Sequence, residues 1–152
     1  MPKASVKRLI ECKKKDLIDL VLDIEKYPEF VPFCFDSKVY EIKKEGDLTK
    51  IIADLTIGKG PFKDTYKSDV VFNKKEDTIF VKNIDGPLNH LSNNWIFSDK
   101  KNGITEVIFD IDFEIKNKFL NSLMVVSFQF GLEKIADAFQ KRAEELFGNF
   151  KN

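Results

Sequence analysis

The segment ITEVIFDIDFEI, residues 104–115, constrains the fold most, because a long helical pattern follows it directly. Its apolar residues alternate with polar ones; they are Val107, Phe109, Ile111, Phe113 and Ile115. The acids Glu106, Asp110, Asp112 and Glu114 point the other way. This period of two is typical of an antiparallel sheet with one dry face and one wet face. After Asn117, a suitable helix N-cap, the pattern is helical as far as Phe147.

The predicted C-terminal helix is long for a chain of 152 residues. At 1.5 Å per residue it would extend about 45 Å. Its apolar stripe consists of Phe128, Leu132, Ile135, Phe139, Leu146 and Phe150. The first half, FLNSLMVVSFQFGL, is apolar nearly all round, so we expect it to be buried on most sides or to meet another apolar surface.

Alternation also marks the earlier segments as strands. The positions expected to share a face are Ile51, Ala53, Leu55 and Ile57; Phe62, Tyr66, Val70 and Phe72; and Leu91, Trp95 and Phe97. Turn residues separate these segments at 45–47, 58–61, 74–77, 85–87 and 101–103. Before them, Lys3–Glu11 is a candidate first strand, and Asp16–Glu25 has helical spacing that Pro28 should end. The predicted order is strand, helix, short helix, six strands and long helix.

These elements predict a single α+β domain over residues 1–152. A helix lying across a one-sided sheet buries both apolar surfaces at once. A sheet of six or seven strands curls as it twists, so we expect a cavity between the sheet and the helix.

Charge and cysteine content restrict the partners and the compartment. Lys and Arg total 25, as do Asp and Glu, so nucleic acid is not a default partner, although a local basic patch stays open. Cys12 and Cys34 are too few for a disulfide framework, and no signal peptide is recognisable, which favours a reducing cytosolic compartment. No apolar run is long enough to span a membrane.

The sequence lacks the usual signs of a catalytic or metal site. His90 is the only histidine, and no metal-ligand spacing or nucleophile elbow is found. Asp110, Asp112 and Glu114 alternate with apolar residues, so we expect them to face water. A role for His90 or Cys34 stays open.

Four polar residues fall on the predicted dry face: Tyr66, Ser68, Asn83 and Asn93. Buried polar groups need hydrogen-bond partners. A few convergent polar groups in an apolar cavity are typical of a small-molecule site. The alternative is that these side chains bond to one another or to a buried water.

Three segments in order resemble a known family. They are Tyr27–Cys34 (YPEFVPFC), Gly86–Leu91 (GPLNHL) followed by Trp95–Phe97, and Asp112–Asn117 (DFEIKN). Together they are similar to the coenzyme Q-binding branch of the START-like (polyketide cyclase/dehydrase and lipid transport, SRPBCC) superfamily, which includes the ribosome association toxin RatA. The similarity runs from about Lys3 to Phe147; Leu88 and Phe35 depart from the family's usual residues.

The resemblance implies a helix-grip fold, with a seven-stranded antiparallel sheet wrapped around the C-terminal helix. It further implies a hydrophobic tunnel that binds ubiquinone or a related lipid, without a cofactor or enzymatic activity, in a carrier supporting respiration. The implied location is the cytoplasm or the inner face of a respiratory membrane. The ligand-binding residues expected on this basis are Tyr27, Pro28, Phe30, Val31, Pro32, Phe62, Tyr66, Gly86, Pro87, Leu88, Asn93, Trp95, Phe97 and Phe113. For Trp95 and Phe97, ordinary core packing is an equal alternative.

Other partners stay open at this point. The apolar segment Phe119–Phe130, preceded by Lys116 and Lys118, can contact a membrane surface or simply fill the groove of the sheet. The resemblance also implies an alternative function, a RatA-like toxin that binds the large ribosomal subunit and blocks subunit joining. For that role the candidate cations are Lys7, Arg8 and Lys13–Lys15. A cyclase-type enzyme is a third, weaker alternative. The sequence leaves the ligand's tail length and the oligomeric state open.

Overall fold

The computed structural model describes the backbone of residues 3–59, 61–85 and 88–148. Within these ranges it describes all side chains except those of Lys59, Phe62, Asp85, Leu88, Ile115, 119–121 and 123–128. The strands are β1 (Lys3–Glu11), β2 (Cys34–Glu45), β3 (Leu48–Lys59), β4 (Phe62–Asn73), β5 (Thr78–Asp85), β6 (Leu88–Asp99) and β7 (Ile104–Ile115). The helices are α1 (Lys14–Leu22) and α2 (Lys118–Phe147), with 3-10 helices at Ile24–Glu29 and Lys101–Gly103.

The seven strands form one antiparallel sheet in the order β1-β7-β6-β5-β4-β3-β2. β2 to β7 follow one another as hairpins, while α1 and the first 3-10 helix carry the chain from β1 at one edge to β2 at the other. The element order and the α+β helix-grip fold predicted from the sequence are therefore confirmed.

Hairpin turns alternate between two ends of an antiparallel sheet, and this gives the molecule two distinct ends. The α1 end comprises turns 46–47, 74–77 and 100–103 and the start of α1. The α2 end comprises the end of β3, the start of β4, segment 30–33 and the start of α2. There the Gly58 N–H donates to the Phe33 carbonyl at 3.0 Å.

The alternating side chains divide between the two faces as predicted. Trp95 on β6 pairs with Ile79 on β5 and with Phe109 on β7, and all three are buried. One position along, Asn94 pairs with Phe80 and Asp110 on the opposite, outer face. Burying a large apolar side chain contributes about 1.5–3 kcal/mol, so this alternation sets which face packs against the helices.

α2 packs on the sheet through most of the described part of the predicted stripe, since Leu132 and Phe139 are buried and Ile135 is half-buried against the core. Its described buried positions are Leu132, Ala136, Phe139 and Ala143. Leu146 is 55% exposed, so its place in the predicted stripe is wrong, and the buried position one turn earlier is Ala143, at 0%. Alanine is buried there because the helix comes close to the sheet, where Glu144 Oε2 accepts the Glu11 N–H at 3.1 Å. The predicted stripe members Phe128 and Phe150 lie outside the described side chains.

The first helix also ends earlier than expected. α1 stops at Leu22, because Asp23 leaves the helical region with φ −84° and ψ 68°. Pro28 therefore does not end α1; it lies inside the separate 3-10 helix Ile24–Glu29. Within the part of the chain that the structure describes, no helix combines the length and hydropathy needed to cross a bilayer.

Candidate ligand-binding site

The face of the sheet that packs against the helices is called the concave face below. Four neutral polar side chains form a diagonal line across it. Tyr66 and Ser68 lie on β4, and Ser68 pairs directly with Asn83 on β5. Asn93 on β6 pairs with Val81, two residues before Asn83. Successive strands are about 4.8 Å apart, so the line crosses three strands from mid-sheet toward the α2 end. The predicted placement of these residues on the dry face is confirmed by the register.

Two of these polar groups are satisfied by the protein itself. Ser68, fully buried, donates from Oγ to the Ala53 carbonyl at 3.3 Å. Asn83 Oδ1 accepts the Leu91 N–H at 2.9 Å. Ser68 Oγ and Asn83 Oδ1 therefore each have a hydrogen-bond partner within the protein.

Asn93 differs from its neighbours on the line. Its Oδ1 is buried, and no described residue offers it a hydrogen bond. A buried polar atom without a partner costs about 1–3 kcal/mol. Rotation about Cβ–Cγ exchanges the amide oxygen and nitrogen, so the same position can present either an acceptor or a donor. Asn93 is therefore the polar group that is available to a ligand on this face.

Tyr66 supplies a buried hydroxyl nearer the α2 end. The residue is 8% exposed. Burial raises the pKa of the Tyr66 phenol far above its usual range, with a smaller contribution from nearby Cys34. The phenol consequently stays protonated at physiological pH, where it can donate a hydrogen bond to a carbonyl oxygen.

Several predicted site residues meet in one aromatic cluster. Phe139 of α2 contacts Tyr27 and Phe30 edge-on, with ring centroids 5.4 and 5.1 Å apart. It also meets Trp95 at 5.1 Å, and Trp95 in turn stacks on Phe109 at 4.2 Å. Phe139 thus joins the Tyr27–Cys34 segment to β6. The sequence placed it on the helix stripe without assigning it to the site, and that stripe was the signal that could have found it.

The polar parts of the Tyr27–Cys34 segment bond within the protein. The Tyr27 hydroxyl donates to the Val21 carbonyl, which ties the 3-10 helix to α1. Glu29 Oε1 accepts from Arg142 Nη2 at 2.7 Å, and the Arg142 guanidinium lies 5.0 Å from the centre of the Phe30 ring. The segment is therefore fastened to α2 by charge as well as by ring contacts.

The rest of this segment runs along the α2 end. Val31 and Pro32 are half-buried, whereas Pro28 is exposed. Phe33 adopts a left-handed backbone with φ 70°, which is rare for a bulky residue and costs about 1–3 kcal/mol. Its ring lies 3.7 Å from the point where a Cβ on Gly131 of α2 would lie. The sequence had no signal for this strained backbone.

The remaining predicted site residues separate into two groups. Phe97 and Phe113 are buried on the concave face, at 3% and 5% exposure. The side chains of Phe62 and Leu88, and all of Gly86 and Pro87, lie outside the described residues. The predicted turn facing the Tyr27–Cys34 segment therefore stays a prediction.

The described side chains include no candidate metal centre, and the two thiols among them are not reactive. Among them, no three His, Cys, Asp or Glu residues are grouped to hold an ion. Burial, the largest cause, raises the pKa of the Cys12 and Cys34 thiols to about 11, so both remain unreactive thiols at neutral pH. His90 Nε2 lies 3.4 Å from Asp112 Oδ2. Ser92 and Asp112 pair on the outer face, so that acid lies away from the concave side.

Most of the cations considered for a ribosomal partner are paired with acids. Arg8 Nη1 lies 2.5 Å from Asp137 Oδ1, and Lys7 Nζ lies 3.8 Å from Glu106 Oε2. Lys14 Nζ contacts Asp77 at 2.8 Å. As a patch by themselves, Lys7, Arg8 and Lys13–Lys15 are largely neutralised.

Comparison with curated proteins finds relatives of two kinds. The chain is 30% identical to the ribosome association toxin RatA of Rickettsia prowazekii, over 91% of this chain and 94% of that protein. It is 33% identical to the mitochondrial coenzyme Q-binding protein COQ10 of Dictyostelium discoideum, over 86% of this chain but only 63% of that protein. Neither name describes an enzyme.

Solved structures agree with the fold. An 18 kDa protein of Caulobacter crescentus superposes with a TM-score of 0.79 at 25% identity, covering 96% of this chain and 98% of its own. The Zhui aromatase/cyclase of a Streptomyces species, at 11% identity and a TM-score of 0.78 over 95% of this chain and 94% of its own, shares the fold alone. The family described as polyketide cyclase / dehydrase and lipid transport matches residues 11–140. By sequence and by fold, the chain belongs to this START-like family.

Proposed function

We propose that this chain is a carrier that binds an apolar ligand with a carbonyl-bearing head group, ubiquinone first among them, between the concave face and α2. The observation that carries the proposal is the buried Asn93 Oδ1, which has no hydrogen-bond partner among the described residues, on a face where apolar side chains predominate. A quinone carbonyl only accepts hydrogen bonds, and a rotated Asn93 amide can donate one. The Tyr66 hydroxyl is a second donor on the same face.

The apolar part of such a ligand supplies most of the affinity. An isoprenoid tail removed from water gains roughly 25 cal/mol per Å² of buried apolar surface. The family's description as lipid transport and the coenzyme Q-binding name of one relative support a hydrophobic ligand. The polar groups assigned to the head are neutral, which supports binding over acid–base catalysis.

We further propose that the α2 end meets the membrane when the ligand is exchanged. Phe130 of α2 is 63% exposed, and Lys134 Nζ lies 4.9 Å from the centre of its ring. Lys116 and Lys118 at the start of α2 are exposed as well. An exposed aromatic ring next to cations is the combination that favours the surface of an anionic bilayer. This contact would be made at the surface of a respiratory membrane.

The test is mass spectrometry of organic extracts from protein purified out of a quinone-producing host. We expect quinone or a related lipid in wild-type extracts. Asn93→Leu should retain about fivefold less, because one hydrogen bond of about 1 kcal/mol is lost. Asn94→Leu is the matched control, since it makes the same change one residue along on the outer face. Extracts without any quinone or lipid, or equal losses in both variants, would contradict the proposal.

A second candidate is association with the large ribosomal subunit. It is supported by the RatA relative, whose sequence corresponds to this chain over 94% of its own length. Cosedimentation of the purified chain with separated subunits tests it. If no association is seen even at low salt, this candidate is removed.

A further inference from the structure

Three short lysine runs lie far apart in the sequence: Lys13–Lys15, Lys74–Lys75 and Lys100–Lys101. The first begins α1, the second follows β4, and the third follows β6. In a chain whose charges balance, none of these runs alone predicts a polyanion partner. The structure changes that picture, because it places all three at the α1 end.

Lys14 connects the three runs. Its Nζ lies 2.8 Å from Asp77 Oδ2 and 3.1 Å from Asp99 Oδ2, joining the start of α1 to turn 74–77 and to the end of β6. The carbonyl of Asp77 also accepts the Phe97 N–H at 3.1 Å. The turns after β4 and β6 are two strand spacings apart, or about 10 Å. The runs therefore form one surface, which we call the lysine end.

The lysine end presents to solvent several lysines that have no acidic partner among the described residues. Lys14 forms ion pairs with both Asp77 and Asp99, so the charges of these two acids are partly balanced by Lys14. The six other lysines of the three runs are exposed, and within the described chain Lys13, Lys74, Lys75 and Lys101 pair with no carboxylate. Lys15 contacts Asp19, and Lys100 lies 3.9 Å from Glu106. The exposed acids at this end are Asp19, Glu45, Asp47, Glu76 and Asp99, of which Asp19, Glu45 and Asp99 each pair with a lysine.

The position of the lysine end favours RNA over a bilayer. A carrier that exchanges an apolar ligand with a membrane needs its cations around the entrance. Phe130 and the strained Phe33, whose ring lies close to Gly131, belong to the α2 end, whereas the lysine end is at the opposite end of the strands. Lysines spaced over about 10 Å can instead contact successive phosphates of a nucleic acid backbone.

We propose that the lysine end binds structured RNA through its phosphate backbone. This surface is separate from the ligand-binding face and would provide the contact required by the ribosomal candidate above. Binding of this kind does not depend on base sequence and weakens with salt, because each lysine releases a condensed counterion on contact.

The test uses a fluorescein-labelled RNA hairpin, with binding followed by anisotropy over a range of salt concentrations. The variant Lys13→Ala/Lys75→Ala/Lys101→Ala removes one unpaired lysine from each run. Its matched control, Lys63→Ala/Lys116→Ala/Lys118→Ala, removes three exposed lysines from the α2 end and leaves the same net charge.

We expect the first variant to bind RNA more than about tenfold more weakly, with the slope of log K against log salt reduced by about 2, since each phosphate contact contributes about 0.7–0.9. The control should stay within about twofold of wild type. Absence of wild-type binding, or equal losses in both variants, would overturn the proposal. So would lysine-end-dependent binding to phosphatidylglycerol vesicles without RNA binding. Quinone or lipid content, measured on the same preparations, reports separately on the carrier function.

Discussion

The indole of Trp95 on β6 meets the ring of Phe139 on α2 edge-on, with 5.1 Å between ring centroids and 72° between ring planes. Phe139 is 3% exposed and also contacts Tyr27 and Phe30. This one side chain therefore connects the sheet, the long helix and the Tyr27–Cys34 segment. Its removal would leave all three without a common packing partner.

Phe139→Ala should lower the free energy of unfolding by about 3–5 kcal/mol, because a buried aromatic ring is lost and a cavity is left behind. Urea unfolding measures the change. Phe130→Ala is the control on the same helix; because Phe130 is 63% exposed, its removal should change stability by less than about 0.5 kcal/mol. Similar losses in the two variants would show that Phe139 does not link these elements.

Tyr66→Phe removes one hydroxyl from the concave face and leaves the ring in place. If this hydroxyl donates to the ligand head group, bound quinone or lipid should fall about fivefold, as expected for one hydrogen bond. Extraction and mass spectrometry measure it. Tyr40→Phe removes the equivalent hydroxyl from a half-exposed ring whose oxygen lies 2.6 Å from Asp54, and it should leave ligand content unchanged. Unchanged content in Tyr66→Phe would remove that residue from the site.

Thr105→Val tests a buried contact between β7 and the end of β1. Thr105 is 1% exposed, and its Oγ1 donates to the Cys12 carbonyl at 2.7 Å. Valine keeps the shape but leaves that carbonyl without this donor, so the free energy of unfolding should fall by about 1–3 kcal/mol. Thermal unfolding of Thr65→Val, an exposed position, provides the comparison, with a change of less than about 0.5 kcal/mol expected.

The two buried thiols predict an alkaline loss of stability. Burial raises the pKa of Cys12 and Cys34 from 9.0 to about 11 in the folded chain. The unfolded chain therefore releases these protons first. Their contribution is fully present below pH 9 and is lost as the pH rises from 9 to 11, at up to about 1.4 kcal/mol per pH unit for each thiol.

Unfolding titrations of wild type and of Cys12→Ala/Cys34→Ala measure this dependence. The double variant should show a shallower decline between pH 9 and 10, below the range in which Tyr27 and Tyr66 add their own effect. Identical slopes in the two proteins would contradict the assignment to the thiols.

The periodicity of the sequence predicted most of the fold. From Val107 to Ile115 apolar and polar residues alternate except at Ile108, so the two faces were predicted correctly, and the α2 boundaries followed from the helical pattern after Asn117. The stripe on α2 was less accurate, because Leu146 is exposed and the small residues Ala136 and Ala143, which the predicted stripe did not include, are buried. Hydrophobicity alone does not show how closely a helix approaches a sheet.

The candidate site was only partly predictable. Alternation placed Asn83 and Asn93 on the same dry face, but it could not show that Asn83 bonds to Leu91 while the Asn93 oxygen has no partner among the described residues. Hydrogen bonds of this kind depend on the register between strands. Strand pairing sets that register, and it is not encoded in the period of either strand.

By itself, the sequence determined the sheet with one dry side, the terminal helix and the polar residues on the concave face, because periods of 2 and 3.6 are local properties of the chain. Only the tertiary structure decided which distant residues meet. Lys14 reaches Asp77 and Asp99 across more than sixty positions and brings three lysine runs together at one end. Such contacts depend on how the strands pair and on where α1 lies, so the three lysine runs share one surface only when the chain folds.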